Sequence, residues 1–267
     1  MGSGCWWRTI RRWSSFSSVW ASRSSGRARC SCRSARGTGM TEAWLAALQF
    51  ADGLFPAGGF AHSFGLETYA HDGVVRDRAG LEAFVAAHLE GSAGPDDAVA
   101  VTVAVRLAAE GKLAEWIELD ERLEAMKPVP ETREASRQMG RQTVRVAAAL
   151  GVDGFLAELA RAVGDGLAPG HHAAVFGAAL GRAGVEPEVA AAAYLHSTVT
   201  LLVGAGLRLI ALGQLDGQRV LAAMRDRIAR LAAAAATATP ADMWSFNPGL
   251  ELAGIRHATL DSRLFRS

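Results

Sequence analysis

The sequence predicts an all-α fold, and three observations carry that prediction. No run of alternating β-branched residues is bounded by turn pairs, so strand signals are almost absent. Apolar residues recur three and four apart in segment after segment, as in Leu81, Phe84, Val85, His88 and Leu89. Val189 to Leu212 is apolar nearly all the way round, which at that length means a helix enclosed by other helices or by a membrane. The expectation is a single-domain bundle of roughly ten helices, built over residues 40–267 around that central apolar helix.

The Val189 to Leu212 run would extend ~36 Å as a helix, enough to cross a bilayer, so length alone does not separate the two environments. Composition favours a soluble core helix. The run carries His196, Ser197, Thr198, Thr200 and Arg208, and an arginine well inside a span costs ~2.5 kcal/mol or more. Gly204, Ala205 and Gly206 lack bulk and predict close approach of a neighbouring helix. Arg208 reads in two ways: a cation that snorkels or pairs near a helix C-terminus, or a charge displayed on a partner-binding face.

Charge is distributed unevenly. Of the 28 basic residues, eight arginines lie in residues 1–39 with none of the 27 acids, leaving 20 basic against 27 acidic residues from Met40 onward. A body of net charge about −7 is a poor nucleic-acid binder, because phosphate affinity comes from clustered Lys and Arg. All three cysteines (Cys5, Cys30, Cys32) also fall in that leader, so the body has neither a disulfide framework nor a cysteine metal site, which fits a reducing cytosol. Residues 1–39 read as a disordered, Ser/Arg-rich leader with no apolar signal run. The plainest expectation is that the protein proper starts at Met40, with a basic tail or an organelle-targeting segment as alternatives.

Along the body, Trp44, Leu45, Leu48 and Phe50 form a short apolar helical face. A Gly/Pro turn follows over Asp52–Phe60, and then a helix through about His71. Asp77 reads as an N-cap, Pro95 as the start of a helix running to Glu110, and Leu113 to Met126 as an amphipathic helix stopped by Pro128 and Pro130. The next helix begins near Glu131. His171-His172 opens another through Gly184, and Leu215 to Ala236 reads as one continuous helix. Asn247 before Pro248 predicts an N-cap with proline at the first helical position. Leu250, Ala253, His257, Leu260 and Leu264 then form one stripe, and Leu264 and Phe265, between two arginines, call for a cover from the parent domain or a partner.

Catalytic spacing is missing. His62 and Ser63 are neighbours whose side chains diverge on a helix, and no nucleophile elbow, HExxH, P-loop or cysteine–histidine pattern is present, so neither an enzyme nor a resident cofactor or metal is expected. A metal-binding alternative rests on the histidines His62, His71, His171 and His172 as ligands for nickel or zinc. Adjacent histidines on a helix point about 100° apart, which makes His171 and His172 a poor bidentate pair without help.

Several stretches together resemble the urease accessory protein UreF family. They are Leu48-Gln-Phe-Ala-Asp-Gly-Leu-Phe-Pro-Ala-Gly-Gly-Phe-Ala-His-Ser-Phe-Gly-Leu-Glu67, Thr132–Ser136 with Gln138-Met-Gly140, His172 to Gly177, Gly206-Leu-Arg-Leu-Ile-Ala-Leu-Gly-Gln214, and Arg256-His-Ala-Thr-Leu-Asp-Ser-Arg-Leu-Phe-Arg-Ser267. The blocks span Met40 to Ser267 in order. The resemblance implies a cytoplasmic, all-helical, non-enzymatic scaffold that forms a homodimer. It also implies binding of the accessory protein UreD (also called UreH) and recruitment of the GTPase UreG, so that nickel reaches apo-urease.

By position, the resemblance places Arg208 and Gln214 in a block associated with the GTPase-facing surface, and Glu67 in one implicated in partner or nickel passage. The C-terminal block, with His257, Arg263, Leu264, Phe265 and Arg266, matches the region that docks on the UreD-type partner. No nucleic acid and no membrane is implied. Two positions depart: Ala211 stands where proline is common, which predicts a softer bend before Gly213, and the loop reads Phe-Pro-Ala-Gly-Gly where Leu-Pro-Ile/Val-Gly-Gly is more usual.

Overall fold

The computed structural model describes residues 35–151 and 153–267, and among these only helices and turns occur. Residues 36–267 form one compact unit. Most of the expected leader lies outside the described residues; the part inside begins α1 (Ala35–Ala51), five positions ahead of Met40.

The helix enclosed on all sides is α8 (His172–Arg182), in which every residue from His172 to Gly181 is buried. It packs on α4 (Val99–Ala109) at backbone contact distance. A Cβ at Gly177 would lie 2.4 Å from the Val101 carbonyl oxygen, and one at Gly181 would lie 2.5 Å from that of Val105. Two glycines four residues apart on α8 therefore face two valines four apart on α4, so the backbones themselves meet. The same α4 is tied to α11 (Arg225–Thr237) by Thr102, whose hydroxyl lies 2.9 Å from the Val99 carbonyl of its own turn and 2.8 Å from the Ala235 carbonyl across the interface.

The predicted central helix is α9 (Pro187–Leu209), which packs against α2 (Leu66–His71), α3 (Arg78–His88), α4, α8, α10 (Gln214–Ala223) and α11. By length and composition it could cross a membrane, and half of its apolar window is buried within the protein. Gly206 carries the expected close approach, since a Cβ there would sit 2.6 Å from a Leu81 methyl of α3. Gly204 does not; nothing lies within 4 Å of its Cβ position.

Three local readings are corrected. Pro95 does not start a helix: the chain runs from α3 through a π-helical segment, Leu89–Ala98, directly into α4. The wider turn takes in a residue with no N–H, whose ring would collide with the carbonyl four residues back in a tight α-turn. The Gly91 and Pro95 carbonyls are met from outside, by the backbone N–H of Phe246 (2.8 Å) and Trp244 (3.3 Å). Lys127 adds a second clamp, its buried ammonium lying 2.8 Å from Asp97 and 3.3 Å from Asp96.

The expected helix from Leu215 to Ala236 is broken at Met224 into α10 and α11. Both helices pack on α9, and the break lets them reach different further neighbours, α3 for α10, and α4 with the π segment for α11. Asn247 occupies the N-cap position of α12 (Pro248–His257), but its side-chain amide donates to the Ala87 carbonyl at 2.9 Å instead of capping. Asp77 caps α3 as read, accepting from the Gly80 N–H at 2.8 Å.

Candidate functional site: the Gly loop and the C-terminal segment

The turn between α1 and α2 is held in shapes few residues adopt. Gly58 and Gly65 have φ of 86° and 87°, and Phe64, at φ 51°, is the one non-glycine with positive φ among the described residues. This loop receives residues 263–267. The Ser267 carbonyl accepts the N–H of Ser63 (2.5 Å) and Phe64 (3.2 Å) and the Ser63 hydroxyl (2.9 Å), while the Arg266 N–H donates to the Ala61 carbonyl at 2.8 Å. His62 Nδ1 lies 2.9 Å from the Ser267 hydroxyl. Burial, helped by the nearby Arg266 charge, pushes the His62 pKa down to about 4, so the ring is neutral near pH 7.

Glu67, in the first turn of α2, is the second receptor for the segment. Its carboxylate accepts the N–H of Leu264 (2.6 Å) and Phe265 (3.0 Å) and meets His257 Nε2 at 2.9 Å. Burial pushes this carboxyl up, but the His257 contact and the two N–H donors outweigh it and leave the pKa lowered. The other His257 nitrogen, Nδ1, lies 2.8 Å from Glu131 on α6 (Pro130–Leu150), and Arg263 reaches that same carboxylate at 2.9 Å. One fully buried ring thus joins α2, α6 and α12, and both carboxylates it touches also hold the C-terminal segment.

Arg208 closes the arrangement from the last turn of α9. Its Nη2 donates to the Phe60 carbonyl at 2.5 Å, and its guanidinium carbon lies 4.1 Å from the centre of the Phe265 ring. Two hollows, of about 560 Å³ and 520 Å³, are both lined in part by Gly58, Phe60 and Arg208.

The structure therefore brings Glu67, Arg208, His257, Arg263, Leu264, Phe265 and Arg266 into one neighbourhood, though not all as surface. Phe265 is 4% exposed and His257 is 0% exposed, so the parent domain covers both; Leu264, at 61%, is left open. The C-terminal stripe splits in the same way: its buried members are Ala253 and His257, and α12 ends there. Gln214 is exposed at the start of α10 and makes none of these contacts. The bend before it is made without proline, by Ile210 in an extended conformation at φ −125° and ψ 149°.

Sequence reasoning missed a second buried cluster. The Asp120 carboxylate on α5 (Leu113–Met126) accepts the N–H of Gly170 (2.6 Å) and His171 (2.8 Å), and burial, working against those two bonds, raises its pKa to about 6. His171 sits between Ser136 Oγ (3.1 Å) and Glu124 (2.9 Å), with its pKa lowered to about 4 by burial and by the Lys127 charge. A neutral ring donating to Glu124 accepts from the Ser136 hydroxyl, which in turn accepts the His172 N–H. The order serine–histidine–carboxylate is that of a hydrolase, yet His171 and Ser136 are buried in packing and the cluster staples α5, α6 and α8 together.

The four histidines weighed as nickel ligands occupy separate surroundings. His62 meets Ser267, His71 meets Asp72, His171 meets Glu124 and Ser136, and His172 packs on Phe176 and Tyr194. Among the described residues no group of three His, Cys, Asp or Glu side chains is placed to hold a metal ion.

The family model for UreF matches residues 75–225. The chain belongs to the UreF family. Among curated relatives, the urease accessory protein UreF of Arthrobacter sp. (strain FB24) is 36% identical over 84% of this chain and 96% of its own length. That of Bacillus sp. (strain TB-90) is 30% identical over 84% and 98%. The UreF of Rhizobium leguminosarum bv. viciae is 36% identical over 80% and 91%. As a UreF-family protein the chain is a urease accessory protein, and the all-α fold agrees with the resemblance read from its blocks.

Proposed function

We propose that this UreF-family chain is a non-enzymatic scaffold in urease maturation. It acts in the cytoplasm as a homodimer, binds the UreD/UreH accessory protein and recruits the UreG GTPase, so that nickel passes to apo-urease. It uses no cofactor of its own and needs neither nucleic acid nor a membrane.

The observation that carries this reading is the seated C-terminal segment. Phe265 plugs into the body under Arg208 while Leu264, Arg263 and Arg266 remain outside, giving a preorganised, mixed apolar and cationic surface. Partner contact is accordingly assigned to Leu264, Arg263, Arg266, Arg208 and Gln214, with Phe265, Glu67 and His257 acting from beneath. The exposed apolar side chains of Trp44, Leu45 and Leu48 on α1, with Leu54 and Phe60 in the loop, supply a face suited to self-association.

The test is reconstitution of urease from apo-urease, nickel, GTP and the two partner proteins, with and without this chain. Activation that requires the chain, with no substrate turned over by the chain alone, supports the scaffold. Equal activation without it overturns the reading.

A further inference from the structure

The hollow of about 520 Å³ next to Arg208 is lined by three arginines from three distant parts of the chain: Arg141 of α6, Arg208 of α9 and Arg266 of the C-terminal segment. No carboxylate lines it. On a body in which acids outnumber bases, three cations around one concave site make a local field that favours an anion. Among the described residues Arg208 and Arg266 form no ion pair, and Arg141 forms one, at 2.6 Å to Glu134 of its own helix. Glu134 is also approached by Arg137 at 3.6 Å, so it does not belong to Arg141 alone. Arg208 spends Nε and Nη2 on the Gly204 and Phe60 carbonyls, which holds the guanidinium in place and leaves Nη1 without a partner.

His62 is a second, independent sign of a ligand. Its side chain lines the same hollow, yet it is only 4% exposed. Nδ1 lies 2.9 Å from the Ser267 hydroxyl, and Nε2 has no partner in the protein. When Ser267 donates its proton to Nδ1, the neutral ring carries its own proton on Nε2, a donor left for whatever occupies the hollow. We propose that this hollow binds a small oxyanion of the phosphate class, held by the guanidinium groups of Arg141, Arg208 and Arg266 and by the Nε2–H of His62. The donors come from α6, α9, the Gly loop and the C-terminal segment, so they surround the ion instead of meeting it along one edge. That arrangement suits a tetrahedral group with several acceptor oxygens and up to two charges better than a carboxylate, which has two oxygens and one charge. The exposed side chains of Phe60 and Leu264 stand on the apolar part of the wall.

The site does not depend on the assignment of partners, and its test uses inorganic phosphate and the full chain alone. Amide chemical shifts of Gly58, Ala61, His62 and Arg266 are followed as phosphate is added at constant pH, with ionic strength held by chloride. The expected result is a saturating shift confined to these residues and their neighbours, with a midpoint of about 1 mM. Arg266→Gln and Arg141→Gln should each raise the midpoint about tenfold, and acetate should bind at least about tenfold more weakly than phosphate. Both arginines are exposed, and Arg141 lies away from the C-terminal segment. Its variant therefore decides the matter should Arg266→Gln unseat that segment. Shifts that grow linearly without saturating, or a midpoint unchanged in Arg141→Gln, overturn the proposal. Acetate binding as tightly as phosphate overturns the phosphate assignment.

Discussion

The guanidinium of Arg208 lies 4.1 Å from the centre of the Phe265 ring, so a cation on the last turn of α9 covers an aromatic from the far end of the chain. Its other bond, to the Phe60 carbonyl, ties the Gly loop to the same point. Arg208 is thus both an exposed charge and the lid over the C-terminal segment. Replacing it with alanine removes the cation–π contact and the guanidinium bonds to the Phe60 and Gly204 carbonyls, a stability loss of about 1–2 kcal/mol. The helical circular dichroism should be unchanged, while recruitment of the GTPase weakens. Normal recruitment by Arg208→Ala would take Arg208 out of the contact surface.

Two glycines, each inside a long helix, look alike in sequence and differ in space. A Cβ at Gly140 would lie 1.9 Å from the Gly170 carbonyl oxygen, beside the Asp120 bonds to Gly170 and His171, whereas nothing lies within 4 Å of a Cβ at Gly204. Gly140→Ala should therefore cost several kcal/mol, roughly 3 or more, by forcing α6 and the loop before α8 apart. Gly204→Ala should be neutral or stabilising by roughly 0.5–1 kcal/mol. Urea denaturation of the two variants checks the contrast.

Acid should destabilise the fold before the carboxylates of the surface titrate. Burial lowers the pKa of His62, His88, His171 and His172 to about 4, against 6.5 when the chain is unfolded. Between those values the unfolded chain binds protons that the folded one refuses, so the stability these groups contribute is lost as pH falls. Asp96 and Asp120, raised by burial to about 6, act in the opposite direction, since the folded state takes up their protons first. Four histidines outweigh two aspartates. The thermal midpoint should fall from about pH 7 to about pH 5. A midpoint that is flat or rising over that interval would contradict the assignment of these histidines as neutral.

Much of the fold is legible in the sequence because three- and four-residue spacing reports helix faces directly, as in α3 and α5. The π segment is not, since Pro95 carries the same signal whether a helix starts there or widens to accommodate it. The break at Met224 is equally silent, being imposed by what α10 and α11 must cover. In the site, Arg208 and the apolar pair Leu264 and Phe265 stand out as a charge and two apolar groups in want of an explanation. The Glu67–His257 and His257–Glu131 contacts do not, because their partners lie 190 and 126 residues apart and no local spacing connects them. Asp120, 50 residues from Gly170, looks like an ordinary acid on an amphipathic helix until the loop is seen closing on it.

The most direct measurement is co-purification of the full chain with the UreD-type partner and the GTPase, in GTP and in GDP, beside a chain truncated after His257. The account predicts a ternary complex that depends on the nucleotide and, with the truncated chain, no UreD-type partner bound. A truncated chain that still carries the partner, or a folded full chain that binds neither protein, would contradict it.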